Sequence, residues 1–392
     1  MRAINVLAAS GAMVVATCAG AQVWCPASGW PGVPAEVGAA TAHDPDGAGP
    51  LATTFVVALK QKASATDALL YQWDGAAWVG LDGGADRSSL PATITCLTSL
   101  ADGRLVVNGI AAWSGGTWSQ VAPVVPVNLN AVQSARHPDG RLIVLAGDRS
   151  VWTLQGPTWS QLPTVPGVDA FGRTIGGSAE VMTVTTTGSV VVAGTYASEY
   201  FDDSAGWRYI SYAFRWDGAA WRTITILWNV GSPAHVRAVA ALPAGAWAIG
   251  GDLGTLTSVQ RVGLNDISVP LGPKSTAPLS VRVGSTSDGQ LFASTLGASR
   301  SIAMWNGSTW IDVPGAASTI GFLTPIFAAS DMSLLMTGQF PTINGGNRFY
   351  RNTAIYTPDC ENVCDTIDFN GNLVYPEDDD VITWLNVLAG AG

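Results

Sequence analysis

Lysine is almost missing from this 392-residue chain, which carries it only at Lys60, Lys62 and Lys274. Charged residues of all kinds make up 12%, and the formal net charge is −10. Phosphate recognition needs clustered Lys and Arg, so nucleic acid is excluded as a partner. Histidine is just as scarce: His43, His137 and His235 are scattered, and His137 stands before the turn Pro138-Asp139-Gly140. Neither a triad nor a histidine metal site follows from that spacing. Beyond the first residues no apolar run reaches the ~18 residues a membrane span requires. Cysteine is limited to Cys18, Cys25, Cys96, Cys360 and Cys364. A copper site built on Tyr, Cys and His has no basis here, because Cys96 is the one cysteine in the body of the chain.

What is abundant is glycine (45) and tryptophan (16). With Val and Thr, that composition suits short strands and tight turns rather than helices. The N-terminus reads as a secretory signal over residues 1–21. Arg2 supplies the positive start, Ile4 to Ala16 the apolar run, and Ala19-Gly20-Ala21 the small-residue cleavage site, which places the mature start near Gln22. The expected location is therefore secreted, periplasmic or cell-surface, an oxidising setting in which disulfides form.

A tryptophan-bracketed turn recurs: Trp73-Asp74-Gly75-Ala76-Ala77-Trp78, Trp113 to Trp118, Trp216 to Trp221 and Trp305 to Trp310, with a weaker copy from Leu154 to Trp159 and a degraded one near Val262-Gly263-Leu264-Asn265. A second marker alternates with it, an Asp-Gly or Gly turn followed by consecutive apolar residues, as in Asp102-Gly103 before Leu105-Val106-Val107. Glycine there supplies the positive φ of a tight hairpin. Consecutive apolar residues indicate strands covered on both faces. Seven such markers over about 22–358 give units of about 48 residues, the length of a four-stranded propeller blade. The expected fold is an all-β, seven-bladed β-propeller. Its last unit lacks an outer strand after Thr353-Ala354-Ile355-Tyr356, and the N-terminal stretch with Gln22-Val23-Trp24 and Gly29-Trp30-Pro31-Gly32-Val33 would supply it. A link from Cys25 to Cys360 would lock that seam; Cys360 with Cys364 is the alternative pairing. Cys96 reads as a small buried hydrophobe.

The Trp turns, the Asp-Gly hairpins and the segment Gly338-Gln339-Phe340 resemble kelch-type and related secreted bacterial propellers over about residues 23–358. That resemblance implies the architecture and leaves the activity open. Residues 359–392 change character. Oxygen-bearing side chains alternate at Asp368, Asn370 and Asn372, acids follow at Asp379 and Asp380, and Val381, Trp384, Leu385 and Leu388 trace a short amphipathic helix. The segment resembles a dockerin-type anchoring module. By that resemblance Asp368, Asn370, Asn372 and Asp379 or Asp380 would hold calcium, and a cohesin-like receptor or a sorting system would be the partner. Leu373 stands where the family has glycine, and one repeat is present instead of two.

Strand order puts the Asp-Gly and Trp turns at one end of each blade, so the variable connections share the other end. Two of these are long and aromatic: Thr195 to Tyr209, with Glu199, Tyr200, Phe201, Asp202, Asp203 and Trp207, and Pro341 to Arg351, with Arg348, Phe349 and Tyr350. Such loops on a rigid scaffold commonly carry binding. The turn tryptophans, at fixed places in most repeats, read as packing between blades. The expected function is a non-catalytic secreted binding module for an extracellular glycan or protein, held at the surface by its C-terminal segment. The alternatives are a propeller glycosidase or lyase and a structural adhesion protein. A glycosidase needs two carboxylates ~5–10 Å apart, and its candidates are Asp148, Glu199, Asp202, Asp203 and Asp252.

Overall fold

The structure is a computed structural model of the chain. It describes residues 23–25, 37–46, 53–60, 68–313, 323–325, 334–340 and 350–357, apart from short stretches at 76, 84, 86–89, 127–128, 203–205, 231–232, 254–258, 272–279, 287–288 and 297–301. The signal peptide, Cys360, Cys364, Asp203, Arg348, Phe349, and the calcium candidates Asp368, Asn370, Asn372, Asp379 and Asp380 lie outside the described residues. The chain divides into two units: residues 24–357, and the two ends, 1–23 with 358–392.

After a short strand β1 (Val23–Cys25), sheets of consecutive antiparallel strands succeed one another. The first holds β2 (Val37–His43), β3 (Thr54–Leu59), β4 (Leu70–Trp73) and β5 (Trp78–Gly80). The second holds β6 (Leu97–Ser99), β7 (Leu105–Val107), β8 (Ala111–Ser114) and β9 (Thr117–Gln120), and the third β10 (Ala131–Arg136), β11 (Leu142–Ala146), β12 (Val151–Gln155) and β13 (Thr158–Gln161). The fourth has five strands, β14 (Ala179–Val184), β15 (Val190–Gly194), β16 (Ala197–Asp202), β17 (Gly206–Trp216) and β18 (Trp221–Val230). The fifth holds β19 (His235–Ala241), β20 (Trp247–Asp252), β21 (Val259–Val262) and β22 (Ser268–Pro270); the sixth holds β23 (Ser280–Ser285), β24 (Leu291–Leu296), β25 (Ile302–Trp305) and β26 (Trp310–Asp312). The first strands of all six line one cavity of about 980 Å³. The molecule is a β-propeller with a central channel.

Six blades of consecutive strands are thus described, where the sequence led us to expect seven. The reason is that the last repeat has no outer strand of its own. β27 (Leu323–Pro325), β28 (Leu334–Phe340) and β29 (Tyr350–Thr357) are joined by β1 from the other end of the chain, in the order β1-β29-β28-β27. Leu335 of β28 is buried in the core shared by β3 and β4, and β27 touches β23 and β24.

The repeats are legible in the hydrogen bonds. In the second to sixth blades the turn between the first and second strand closes the same way: Leu100 N–H donates to Arg104 O, His137 to Arg141, Thr185 to Ser189, Leu242 to Ala246 and Thr286 to Gln290. A glycine of positive φ sits at the fourth position of each. At Gly188 the requirement is double, because φ is +86° and a Cβ would stand 2.7 Å from the His137 ring of the preceding blade. The second strands β7, β11 and β15 are buried at every residue, as strands covered on both faces by neighbouring blades must be.

The turn tryptophans pair across their hairpins in register. Ring centroids lie 5.6 Å apart for Trp73 and Trp78, 5.3 Å for Trp113 and Trp118, 5.6 Å for Trp216 and Trp221, and 5.3 Å for Trp305 and Trp310. Tilted pairs of this kind contribute about 0.5–1.5 kcal/mol beyond their buried area. The second ring also reaches the preceding blade, as the sequence led us to expect. Trp118 Nε1 donates to Asp82 Oδ2 (3.2 Å), Trp221 Nε1 to Pro163 O (2.6 Å) and Trp310 Nε1 to Leu271 O (2.7 Å). All three acceptors lie one or two residues beyond the outer strand of the blade before. The degraded turn is real as well: Gly263 N–H donates to Ile267 O, closing the hairpin between β21 and β22. Cys96 is buried and free, and burial pushes its thiol up to about 11.

Candidate functional site

The antiparallel order puts the glycine turns and the tryptophan turns on one face, as read from the sequence. On the opposite face the fourth blade stands out. The segment Thr195 to Tyr209, expected to be a loop, is a hairpin. β16 pairs with β17 from Ala197↔Ser211 to Asp202↔Gly206, and β18 pairs along the other side of β17 up to Arg208↔Val230. β17 and β18 run 11 and 10 residues, where the third and fourth strands of the other five blades run three to five. Six residues of β16 rise about 20 Å at ordinary strand pitch. The sequence Ala197-Ser198-Glu199-Tyr200-Phe201-Asp202 is rich in strand-forming aromatics. With no glycine before Gly206, the chain turns later than a loop reading supposes.

This hairpin gathers most of the expected ligand-binding residues. Glu199 is exposed, Phe201 is 60% exposed, and Tyr200 is half-buried. Asp202 and Trp207 lie on its two strands, in the pairs Asp202↔Gly206 and Phe201↔Trp207. Tyr350 begins β29, in the sheet formed by the chain ends, so it does not share this hairpin.

The connection from the third blade adds residues that sequence reasoning missed. Phe171 is 75% exposed. The Arg173 guanidinium lies 4.7 Å from the Phe171 ring centroid and 5.3 Å from that of Tyr200, within cation–π range of both. Asp169 holds the arrangement together. Its Oδ1 accepts the Phe171 N–H (2.8 Å) and the Arg173 N–H (2.9 Å). Its Oδ2 accepts Arg173 Nε (2.5 Å), the Tyr212 hydroxyl (2.8 Å) and the Ser198 hydroxyl (3.3 Å). Burial works to raise the Asp169 carboxyl, but the hydrogen bonds from Arg173, Tyr212 and Phe171 outweigh it and hold it well below the usual carboxylate range. The available signal was an Asp-x-Phe-Gly-Arg pattern in the long connection between β13 and β14.

The same face carries the channel mouth. The inner strands β2, β10, β14 and β19 each have a register shift near their first residues, which makes Gly38, Val132, Glu180 and Arg237 the extra residues. Bulges re-aim side chains and cluster beside functional sites. Here Glu180 Oε2 meets His235 Nε2 of the next blade at 2.5 Å. Arg237 binds Asp252 Oδ2 through Nε (2.9 Å) and through a terminal nitrogen (2.8 Å). Arg282 on β23 lines the same cavity. Burial lowers its pKa from the ordinary guanidinium value, and Arg237 adds to that. Among the described residues Arg282 has no hydrogen-bond or ion-pair partner. The blades are laced around the channel by Thr95 Oγ1 to Ala131 O (2.7 Å), Thr98 Oγ1 with Ser134 Oγ (2.5 Å) and Met182 N–H to Gln133 Oε1 (2.6 Å).

Of the acids considered for glycoside hydrolysis, Asp148 is held below its ordinary value by hydrogen bonds from Ser150, and Asp252 is paired with Arg237. Among the described residues no group of three or more His, Cys, Asp or Glu could hold a metal ion, and there is no disulfide.

No family model and no curated protein matches the sequence, so neither kelch repeats nor a dockerin-like module gains support that way. Solved structures do resemble the chain. A catalytically inactive variant of virginiamycin B lyase from Staphylococcus aureus, with quinupristin, is 10% identical, covers 85% of this chain and 97% of its own, and superimposes with a TM-score of 0.53. YCF48 bound to D1 peptide is 11% identical over 86% of this chain and 97% of its own, TM-score 0.52. YCF48 from Cyanidioschyzon merolae is 10% identical over 86% and 99%, TM-score 0.50. At such identities the likeness is one of fold, and that fold is the β-propeller of four-stranded antiparallel blades.

Proposed function

We propose that this propeller is a binding module that receives a polypeptide segment on its loop face. The observation that carries the reading is the raised hairpin of the fourth blade, with Phe201 exposed on it and the exposed Phe171 beside it, held with Tyr200 against the Arg173 guanidinium. Large exposed apolar rings beside a cation on a rigid support are what interface anchors are made of. The peptide-bound YCF48 structure supports a protein ligand over a glycan as a precedent of fold. The alternative of a glycosidase or lyase asks for a carboxyl of raised pKa; Asp148 is shifted the other way and Asp252 is already committed to Arg237.

The test is a random-peptide display screen against the full chain. Selected peptides should bind the Phe171→Ala/Phe201→Ala double variant at least about tenfold more weakly, with its melting temperature unchanged because both rings are exposed. Peptides that bind wild type and the double variant alike would refute the reading, as would selection of glycans but no peptides in a parallel array.

The finer features of the reading belong to the same proposal. We take the sheet β1-β29-β28-β27 as a seventh blade closing the ring, locked by Cys25 with Cys360; the alternative pairing, Cys360 with Cys364, would leave that seam without a covalent link. We take residues 1–21 as an export signal and the acidic segment at 359–392 as a calcium-dependent surface anchor. Leu335 in the first blade's core and β27 beside the sixth blade support the closure. The composition of the two ends supports the rest. Intact-mass measurement of the exported protein, with and without reductant, should give an N-terminus at Gln22 and a two-proton difference. A retained leader or four free thiols would remove this part.

A further inference from the structure

The channel mouth holds a cation, Arg282, with no counterion among the described residues. Six inner strands enclose about 980 Å³, and four of them carry a bulge at the loop-side end. Two of the bulged side chains, Glu180 and Arg237, are charged. Glu180 is taken by His235, and Asp252 meets Arg237 with one oxygen. Arg282 faces the same space half-buried, beside Arg237 and with no acid among the described residues to answer it. A half-buried guanidinium left unpaired is costly, and a cleft that keeps one is suited to an anion that arrives from outside. The whole chain is acidic, with a net charge of −10, so general attraction cannot be what draws an anion here; the recognition is local, within a Debye length of about 8–10 Å.

We propose that the loop-side mouth of the channel is a carboxylate site in which Arg282, assisted by Arg237, binds a carboxylate of the ligand. Guanidinium matches carboxylate geometry with paired N–H donors. A single negative charge at the guanidinium suits the surroundings; glutarate carries its two charges on separate carboxylates, so one can enter while the other stays in water, whereas phosphate concentrates its charge on one group. Glu180 and Asp252 already stand at this mouth, and a phosphate dianion beside two acids would be repelled. The proposal rests on the polypeptide reading only in saying where the carboxylate comes from, an acidic side chain or a chain end.

The experiment is calorimetric titration of the full chain with glutarate, with glutaramide and inorganic phosphate as controls. Glutarate should bind, and both controls should be at least about tenfold weaker. Arg282→Gln should weaken glutarate about tenfold or more, while Arg282→Lys restores part of the loss. Arg282 makes no hydrogen bond to a described residue, so these variants should fold. A variant-free readout guards the point: glutarate should protect Arg282 of the wild-type chain from phenylglyoxal, mapped by peptide mass. Acetyl-Gly-Glu-Gly-amide against acetyl-Gly-Gln-Gly with a free carboxyl tells side chain from chain end, and binding of either supports the site. Equal affinity for glutarate and glutaramide overturns the proposal, as does an unaltered Arg282→Gln affinity or the absence of protection. If glutarate fails while selected peptides still depend on Phe171 and Phe201, only this site falls. If glutarate binds and no peptide does, only the polypeptide reading falls.

Discussion

Asp169→Ala should cost about 2–4 kcal/mol of stability and abolish peptide binding by the loop face. The carboxyl accepts five hydrogen bonds, from two backbone N–H groups, one guanidinium and two hydroxyls. Removing it leaves Tyr212 and Ser198, both buried, to satisfy one another alone through their 2.8 Å contact. The Arg173 guanidinium is released as well. Its side chain is 24% exposed, so water takes over part of its share, which keeps the cost below that of a wholly buried ion pair. The functional loss is larger than the energetic one, because Arg173 stands over Phe171 and Tyr200 only while Asp169 fixes it. Asp169→Asn, which keeps the shape and drops the charge, separates these effects. The native pKa is depressed, so the charge contributes stability in full above the unfolded-state value of about 4 and loses it as pH falls toward the folded value. In urea titrations the gap between wild type and Asp169→Asn should therefore be constant from about pH 5 to 7 and shrink below about pH 4. A gap that does not narrow in acid would sink the assignment. If Asp169→Ala does not fold, the Asn variant carries the test.

The propeller itself was legible because its signals are local. A tryptophan pair and a glycine at a fixed offset define a hairpin within six residues, and hairpins repeated at a steady interval leave little choice of fold. The two-faced burial of β7, β11 and β15 was legible for the same reason, since consecutive apolar residues have no other place to go. What could not be read is what depends on neighbouring blades. Glu180 and His235 are 55 residues apart. Trp221 and Pro163 are separated by 58. Asp169 and Tyr212 are 43 apart. No periodicity links them, because lateral contacts vary from blade to blade even where the hairpins do not. The blade tally was misjudged in detail for a related reason: counting markers treats every repeat alike, whereas the last sheet is completed from the opposite end of the chain. The fourth-blade hairpin was taken for a loop because its length broke the repeat, although its own residues favour strands.

Asp82 shows how such a lateral contact carries the structure, and Asp82→Ala should lower stability by about 3–5 kcal/mol. The residue follows the outer strand of the first blade and is 0% exposed. One oxygen accepts the N–H groups of Leu69 (2.6 Å) and Leu70 (2.9 Å), which bring the third strand of its own blade into place. The other accepts Trp118 Nε1 from the second blade. In the fourth and sixth blades the same tryptophan nitrogen finds a backbone carbonyl, Pro163 O or Leu271 O, which no side-chain substitution removes, and in the third Trp159 Nε1 has no partner among the described residues. Asp82 is therefore a place where a single side chain joins hairpin and interface, and deleting it strands two buried backbone donors together with a half-buried indole N–H. Trp118→Phe removes one donor and keeps most of the packing, so its cost should be about 1 kcal/mol. If the lateral bond is as described, the double variant should be less destabilised than the sum of the two, because the tryptophan no longer has an acceptor to lose. Additive effects in urea unfolding would mean that Asp82 works only within its own blade. A melting temperature within a degree of wild type for Asp82→Ala would mean that water replaces the carboxyl at no cost, and the account of how these blades adhere would have to be rebuilt on ring packing alone.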